Sequence, residues 1–155
     1  MSGLKGMYMK RTLFPILFGS LILVQLACRK DNINNNNLTL TSIIGSWELN
    51  REQLGMLPVS YPSGNGNILK FTDSEFQIFI NGQLVKSGQY RIVRDSSVAT
   101  ETCLVIPTDQ YRDRIIYKNN YFDTKIFVQV SENKLTFLSG CFAYDAGNYK
   151  EYLRN

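Results

Sequence analysis

Apolar and polar positions alternate in the middle of the chain with a period of two. In residues 76–80 every second side chain is large and apolar, which is typical of a strand with one buried face. Asn81-Gly82 follows at once, and both residues accept the positive φ that a type I′ turn requires. We expect a return strand over 83–93, broken by a bulge at Ser87-Gly88. The pattern therefore predicts a β-hairpin.

Other segments with the composition of strands lie on both sides of this hairpin and are separated by turn residues. They are 45–49, 67–72, 102–106, 125–130, 134–138 and 148–153. A further strand is expected at 114–117, inside a long excursion between Pro107 and Thr124. After residue 43 no segment has a convincing helical period. The sequence thus predicts an all-β fold, a small antiparallel up-and-down β-barrel of about eight strands, because closure removes exposed edges.

The first 28 residues follow a different pattern. Basic residues at 5, 10 and 11 precede an apolar run that closes on Ala27-Cys28, which is the order of a secretory signal. The stretch 12–27 is shorter than the roughly 20 apolar residues of a membrane-spanning helix. An uncleaved anchor and ordinary secretion are the alternatives to a cleaved lipoprotein signal.

A small residue directly followed by cysteine resembles the lipobox of bacterial lipoproteins. The resemblance implies cleavage by signal peptidase II before Cys28, and acylation of Cys28 with fatty acyl chains such as palmitate. It also implies a membrane partner, reached through these chains, and a place on the bacterial outer membrane. Whether the protein then faces the periplasm or the cell surface stays open.

The chain divides into three segments on this interpretation. Residues 1–27 are the lipoprotein signal peptide, 28–41 are the lipidated cysteine with an Asn-rich tether, and 42–155 are the β-barrel domain. The tether contains four consecutive asparagines at 34–37, and such a segment has too little apolar area to fold by itself. As a flexible coil it spans on the order of 20 Å.

Charge argues against nucleic acid as a partner. The full chain has 17 Lys and Arg and 13 Asp and Glu, a net charge of +4. Three of the basic residues lie in the signal and all acidic residues follow Cys28, which leaves 14 basic against 13 acidic residues, or +1. A nucleic-acid binder would present a basic patch or stripe, and none is visible. We expect a monomer.

Two cysteines remain when Cys28 is lipidated. Cys103 and Cys141 are an even pair in a compartment that permits disulfides, so a bridge is one interpretation. Two buried thiols that never meet are the other.

Residues Gly45-Ser46-Trp47 resemble the Gly-x-Trp signature of the first strand of lipocalins. Ile43-Ile44 stands where that family has an apolar turn, and Arg154, directly after the last predicted strand, stands where that family commonly has an arginine that packs on the tryptophan ring. The resemblance implies a lipocalin-like barrel whose closed end is plugged by Trp47. The Arg154 guanidinium would then cover the indole ring with a cation–π contact of about 1 kcal/mol.

Little in the sequence points to catalysis. The chain has no histidine, which removes Ser-His-Asp and Cys-His mechanisms and the commonest metal ligand. Two cysteines are too few for a structural zinc site. Asp109 and Asp113 lie in the densest polar group, where a calcium ion is conceivable but a solvated loop is favoured. We expect no enzyme activity, no cofactor and no metal.

Aromatic residues are the remaining functional candidates. Nine Tyr and nine Phe are enough to line a pocket for a small apolar or aromatic ligand. The tyrosines that would rim its opening lie in the loop after the first predicted strand and in the excursion: Tyr61, Tyr111, Tyr117 and Tyr121. The leading hypothesis is non-catalytic binding of such a ligand by an envelope lipoprotein. A structural or protein-interaction module with a filled barrel is the alternative, because a core face and a pocket wall have the same alternating pattern of apolar residues in the sequence.

Overall fold

The computed structural model describes residues 42–107, 109–118 and 124–155. The predicted signal peptide and the tether with Cys28 therefore lie outside the described residues, as does Tyr121. The strands within these ranges are β1 (Gly45–Leu54), β2 (Leu57–Ser60), β3 (Ile68–Phe71), β4 (Glu75–Ile80), β5 (Gln83–Arg94), β6 (Asp113–Tyr117), β7 (Ile126–Ser131), β8 (Lys134–Ser139) and β9 (Asn148–Arg154). A short helix α1 (Val98–Thr102) follows β5, and a 3₁₀ turn (Phe142–Tyr144) precedes β9.

The strands form one antiparallel sheet that closes on itself. Strands β1 and β3 to β9 pair in chain order, and β9 returns to pair with β1, so eight strands complete the barrel. Each strand is followed by its neighbour in space, which is the up-and-down arrangement. The prediction of an all-β up-and-down barrel of about eight strands is confirmed.

Strand β1 changes partner along one of its edges. Residues 45–48 pair with β3, whereas residues 51–54 pair with β2, which lies beside the barrel as a ninth strand. On its other edge β1 pairs with β9, and Asn50 is an extra residue in this ladder between Leu49 and Arg51. The second half of β1, residues 51–54, and the short β2 therefore form a hairpin that extends beyond the closed wall.

Alternation along the strands builds a single core inside the barrel. The end where β1 begins and β9 ends is filled by apolar side chains around the fully buried Trp47, and we call it the Trp47 end. The opposite end, formed by the connections after β1, β4, β6 and β8, we call the mouth. The buried members of the core are Ile43, Trp47, Leu69, Phe71, Phe76, Tyr90, Ile115, Val128, Leu135 and Phe137.

A second apolar cluster lies on the outside of the barrel, and we call it the outer cluster. Phe127 and Leu138 belong to it, because they alternate with the inward-facing Val128 and Phe137 on β7 and β8. The connection from β5 to β6, which contains α1, covers this face. Its buried members are Val98, Tyr111, Phe127 and Leu138, with Ile106, Phe142 and Tyr149 packed against them.

A disulfide fastens this outer layer. Cys103, directly after α1, is joined to Cys141, which precedes the 3₁₀ turn. Of the two alternatives that the sequence left open, the structure has the bridge. It links the segment that covers the outer cluster to the connection between β8 and β9.

The predicted strand at 102–106 is wrong. Residues 98–102 are helical, and the Thr102 hydroxyl donates a hydrogen bond to the carbonyl of Val98 at 2.7 Å. Thr102 is buried and Ile106 packs on the outer cluster, whereas Val105 is fully exposed. The segment thus has the composition of a strand, but it pairs with none of the described strands and only part of it is buried against the outside of the barrel.

The predicted hairpin of β4 and β5 is present, with positive φ at both Asn81 and Gly82. Its bulge, however, is not at Ser87-Gly88. The irregularity leaves Val85 unpaired between Lys86 and Leu84, whereas Gly88 pairs regularly with Phe76. A Cβ on Gly88 would lie 3.1 Å from Phe76 Cε1, so glycine is needed there because the Phe76 ring packs across it.

Glu151, on the outward face of β9, connects three strands. Its carboxylate accepts hydrogen bonds from Asn50 Nδ2 and from the Tyr149 hydroxyl, both at 2.8 Å, and pairs with Lys134 Nζ at 3.0 Å. Burial favours the neutral acid, but the hydrogen bonds from Tyr149, Lys134 and Asn50 outweigh it and lower the pKa of Glu151 below its ordinary value of 4.5. The charged form is therefore stabilised in the folded barrel.

Glu151→Gln is expected to reduce both the stability and its dependence on acid. A lowered folded pKa contributes stability that is fully present above the unfolded pKa, and this contribution is lost as pH falls through the folded pKa. The variant should lose about 1 kcal/mol at neutral pH and show a shallower decline of stability below pH 4.5. Urea unfolding across acid pH measures both effects. The matched control is Glu132→Gln in the exposed β7–β8 turn, and equal acid slopes for the two variants would contradict the assignment.

Candidate functional site

The interior of the barrel contains a cavity above the packed core, which we call the lumen cavity. Its volume is about 170 Å³, and rings or alkyl groups from six different strands form most of its wall. Because its walls are the upper parts of the inward faces, it lies toward the mouth and away from Trp47. The residues that line it are Leu69, Phe76, Ile78, Lys86, Tyr117, Ile126, Phe137, Ser139, Asn148, Lys150 and Tyr152.

A second cavity of about 350 Å³ adjoins the first, and we call it the side cavity. Ile78, Lys150 and Tyr152 line both, so the two spaces are contiguous. The side cavity lies at a place where neighbouring strands of the barrel wall are not hydrogen-bonded to each other. Glu52 pairs with β2 and β9, and Ile80 pairs with β5, but neither pairs with β3. The gap between the two hairpins gives the interior a lateral face toward solvent.

Aromatic rings dominate the wall of the lumen cavity. Phe76 and Tyr117 pack edge to face with ring centroids 4.5 Å apart, and Phe137 and Tyr152 do so at 5.9 Å. Burial raises the pKa of both tyrosine hydroxyls, with further raising contributions from Tyr152 and Tyr90 at Tyr117. Both hydroxyls are therefore neutral at physiological pH and keep a proton to donate.

A few polar groups stand among these rings. Glu52 and Lys150 form an ion pair at 2.7 Å inside the mouth. The side-chain oxygen Oδ1 of Asn148 is buried and has no hydrogen-bond partner among the described residues. Ser139 lies opposite Asn148 on β8, so a hydroxyl and an amide face the cavity side by side. Aromatic walls with a small number of placed polar groups are characteristic of small-molecule sites.

Exposed apolar side chains extend the mouth outward. Leu54, Leu57 and Val59 of the β1–β2 hairpin are 70%, 78% and 51% exposed, and their pairing places them on the same face as Glu52. Ile80, at the tip of the opposite hairpin, is half exposed and lines the side cavity. Apolar surface on both hairpins thus borders the opening of the interior.

The signature residues lie at the other end of the barrel. Trp47 is fully buried, and its Nε1 donates a hydrogen bond to the carbonyl of Ile43 at 2.6 Å. The guanidinium carbon of Arg154 lies 4.1 Å from the centroid of the Trp47 ring, which is cation–π geometry. The plug that the sequence predicts from Gly45, Trp47 and Arg154 is therefore present in the structure.

Gly45 has a physical reason to be glycine. Its φ is +135°, and a Cβ on it would lie 2.9 Å from Nη1 of Arg154. The Arg154 guanidinium needs this space because it donates hydrogen bonds to the carbonyls of Ser42 and Ile44, at 2.9 and 3.2 Å. The glycine lets the chain pass directly beneath the arginine that covers Trp47.

The tyrosines that the sequence proposes as a rim are not all in one place. Tyr61 lines the side cavity, with its hydroxyl 3.3 Å from Glu52 Oε2. Tyr117 lies inside the lumen cavity. Tyr111 lines neither of these cavities: it belongs to the outer cluster, where its hydroxyl bonds Thr136 Oγ1 at 3.0 Å. The excursion that carries Tyr111 folds over the outside of the wall, so the placement of this residue at the rim needs correction.

Several residues of the cavity wall were not singled out from the sequence. Glu52, Lys86, Asn148 and Lys150 are polar or charged residues at inward positions of strands. The signal that would have found two of them is alternation: Asn148 and Lys150 lie four and two residues before the inward-facing Tyr152. Polar residues on an inward face mark the level of the barrel at which the packed core ends and the cavity begins.

The acidic residues considered for calcium do not gather. Asp113 is buried at an inward position of β6 and lies 3.8 Å from Arg94. Within the described ranges no three Asp, Glu, Cys or His side chains come together as metal ligands would. Helices in the described part of the chain are too short or too polar to span a bilayer.

Comparison of the chain with protein-family models, with curated proteins and with solved structures finds no match. The class is therefore defined by the fold and the site alone. The protein is a closed, eight-stranded, antiparallel up-and-down β-barrel with a plugged end and an aromatic-lined interior cavity.

Proposed function

We propose that this protein is a lipid-anchored lipocalin-like barrel of the bacterial envelope that binds a small apolar or aromatic molecule without chemically changing it. The proposal combines the lipobox and Gly-x-Trp resemblances of the sequence with the cavity of the structure. A monomer of this kind needs no cofactor and no nucleic-acid partner.

The observation that carries the proposal is the pair of contiguous cavities in the upper half of the barrel. An eight-stranded barrel is narrow enough for its own side chains to fill the interior, as they do around Trp47. Toward the mouth the inward positions instead leave about 170 Å³ bordered by four aromatic rings, and about 350 Å³ beside it. Unfilled apolar volume forgoes packing contacts that a bound molecule would restore.

The position of the chain entry supports the combination of an anchor with a binding site. Strand β1 begins at the Trp47 end, so the described part of the chain enters the barrel at its closed end. A tether over 28–41, attached to acyl chains at Cys28, would hold the closed end toward the membrane and leave the mouth directed away from it. An outer-membrane location, on either face, fits this arrangement.

A protein-interaction module is the second candidate, and a specific observation favours it. The hairpin tips carry exposed apolar side chains, among them Leu54, Met56 and Leu57 at 70% or more. Exposed apolar area that groups on one end of a monomer is a mark of interaction surfaces. In this reading a protein partner, not a small molecule, would cover the mouth.

Filling the interior is the sharpest test of small-molecule binding. Ile78 lines both cavities, so Ile78→Trp should occupy the shared space and weaken binding of the neutral fluorescent probe 1-aminoanthracene by about tenfold or more. The full-length protein is titrated with the probe, and far-UV circular dichroism verifies that the barrel is intact. Gln77→Trp is the matched control, because this neighbouring position on β4 is exposed and faces outward.

If the wild-type protein does not bind the probe, the small-molecule proposal is wrong and the interaction module becomes the leading candidate. Equal weakening by Gln77→Trp and Ile78→Trp would place the binding outside the interior.

A further inference from the structure

We propose that the lumen selects molecules with an anionic group and that Lys86 is the residue that selects them. The inference rests on the proposed function, since it assigns a ligand class to the same cavity. The proposed ligand is an acidic amphiphile. Its apolar or aromatic part would lie inside the barrel, and its carboxylate or a comparable anion would lie beside Lys86.

Lys86 occupies an inward position of β5. It pairs with Ile78 across the hairpin, two residues from Gly88, which faces the ring of Phe76. The side chain lines the lumen cavity together with Phe76 and Tyr117. The Lys86 side chain is exposed, so Lys86 stands at the solvent-accessible edge of the cavity wall and is not part of the packed core.

The charge inside the barrel is not balanced without a ligand. Lys150, the other lysine of the cavity wall, is paired with Glu52 at 2.7 Å. Among the described residues no carboxylate lies within ion-pair distance of Lys86. The cavity wall therefore has one cation in excess, and an anion that enters the lumen would meet a positive charge that is already in position.

Neutral polar groups beside Lys86 match the same ligand. Burial raises the pKa of Tyr117, so its hydroxyl stays protonated and is able to donate to an anion. On the opposite wall, Ser139 supplies a second hydroxyl. Asn148 also lines this cavity, and its buried Oδ1 has no hydrogen-bond partner among the described residues. One cation that is unpaired in the described part of the chain, and several neutral polar groups, thus line a cavity whose walls are otherwise mostly apolar.

A second positive charge on the same strand, Arg91, provides the comparison for Lys86. Arg91, on the same strand, is exposed and faces outward, so a similar positive charge is available to any anion that binds non-specifically. Lys86 is exposed as well, and it differs from Arg91 by its inward direction and by its aromatic neighbours at the lumen cavity. Ligand discrimination by charge should therefore depend on Lys86 and not on the overall charge of the barrel.

The test compares an acid with its neutral ester. The fluorescent polyene fatty acid cis-parinaric acid and its methyl ester share one apolar chain and differ in charge. The full-length protein should bind the acid about five- to tenfold more tightly than the ester, as expected for one partly exposed charge pair with hydrogen bonds. In Lys86→Met the affinity for the acid should fall to that of the ester, while the affinity for the ester stays unchanged.

Arg91→Met is the control, because it removes one positive charge from the outer face of the same strand and should leave both affinities unchanged. Equal binding of acid and ester by the wild-type protein would overturn the inference and leave the proposed function intact. The inference also fails if Arg91→Met and Lys86→Met weaken the acid alike, since the effect is then one of net charge. Absence of binding for the acid, the ester and 1-aminoanthracene would refute the proposed function itself.

Discussion

Replacing Trp47 by alanine is expected to lower the free energy of unfolding by about 3–5 kcal/mol, the range for truncation of a large buried aromatic side chain. The indole is fully buried at the centre of the core, where it faces Leu69 across the ladder with β3. The substitution would leave a void at the closed end, remove the hydrogen bond to Ile43, and uncover the Arg154 guanidinium from its ring. Urea unfolding followed by far-UV circular dichroism measures the loss.

Circular dichroism is the necessary probe because Trp47 is the single tryptophan of the chain, so the variant has no indole fluorescence. Arg154→Met separates the parts of the effect: it removes the cation–π contact of about 1 kcal/mol but keeps the packed ring. Tyr144→Ala is the control, since this side chain is 82% exposed and should change stability by less than about 0.5 kcal/mol. A loss at Trp47 below that of Arg154→Met would contradict the description of Trp47 as the plug of the barrel.

The closed barrel was predictable because its strands obey local rules. The alternation in 76–80 and the turn Asn81-Gly82 are each sufficient to specify a hairpin, and both are found as expected. Similar alternation marks β7, β8 and β9. An open sheet of this many strands would leave two exposed edges. Pairing of β9 with β1 covers both of them and closes the wall.

The errors arose where burial occurs outside this wall. Within residues 102–106, Ile106 packs against the outer cluster and Thr102 is buried, whereas Val105 is fully exposed, and composition alone does not distinguish such a segment from a strand. Strand β2 was missed for the opposite reason. Its four residues are all exposed and include Pro58, which suits an edge strand but gives no alternating pattern.

The candidate site was only partly predictable. Tyr61 and Tyr117 were identified from their loop or strand-end positions, and both line the cavities. The cavity itself was not foreseeable, because a pocket wall and a core face have the same alternation. The distinction depends on inward polar residues such as Glu52 and Lys86, which lie just after the bulges at Asn50 and Val85, and the sequence does not show where these bulges are. A shift of one residue at either bulge would turn Glu52 or Lys86 to the outer face of the barrel.

Removing the disulfide is expected to lower the free energy of unfolding by an amount similar to that for Trp47→Ala, but to loosen the outer layer first. The bridge spans a sequence separation of 38 residues, and the chain-entropy model gives about 4 kcal/mol for closing such a loop in the unfolded state. Cys103→Ser with Cys141→Ser should therefore lower the free energy of unfolding by about 2–4 kcal/mol. Since the bridge joins the covering segment to the β8–β9 connection, amide exchange should increase first around α1 and the 3₁₀ turn.

The strands of the barrel should keep their order of protection in this variant, because neither bridged cysteine belongs to the core cluster around Trp47. Treatment of the wild-type protein with a reductant provides the matched control, since it breaks the same bond without changing a residue. Reduction that opens the bridge, verified by the gain of about 2 Da in intact mass for two thiol hydrogens, should reproduce the loss of stability. A double variant within about 0.5 kcal/mol of the wild type, or uniform loosening of all strands, would show that the outer layer is held by the packing of Val98, Tyr111 and Phe127 alone.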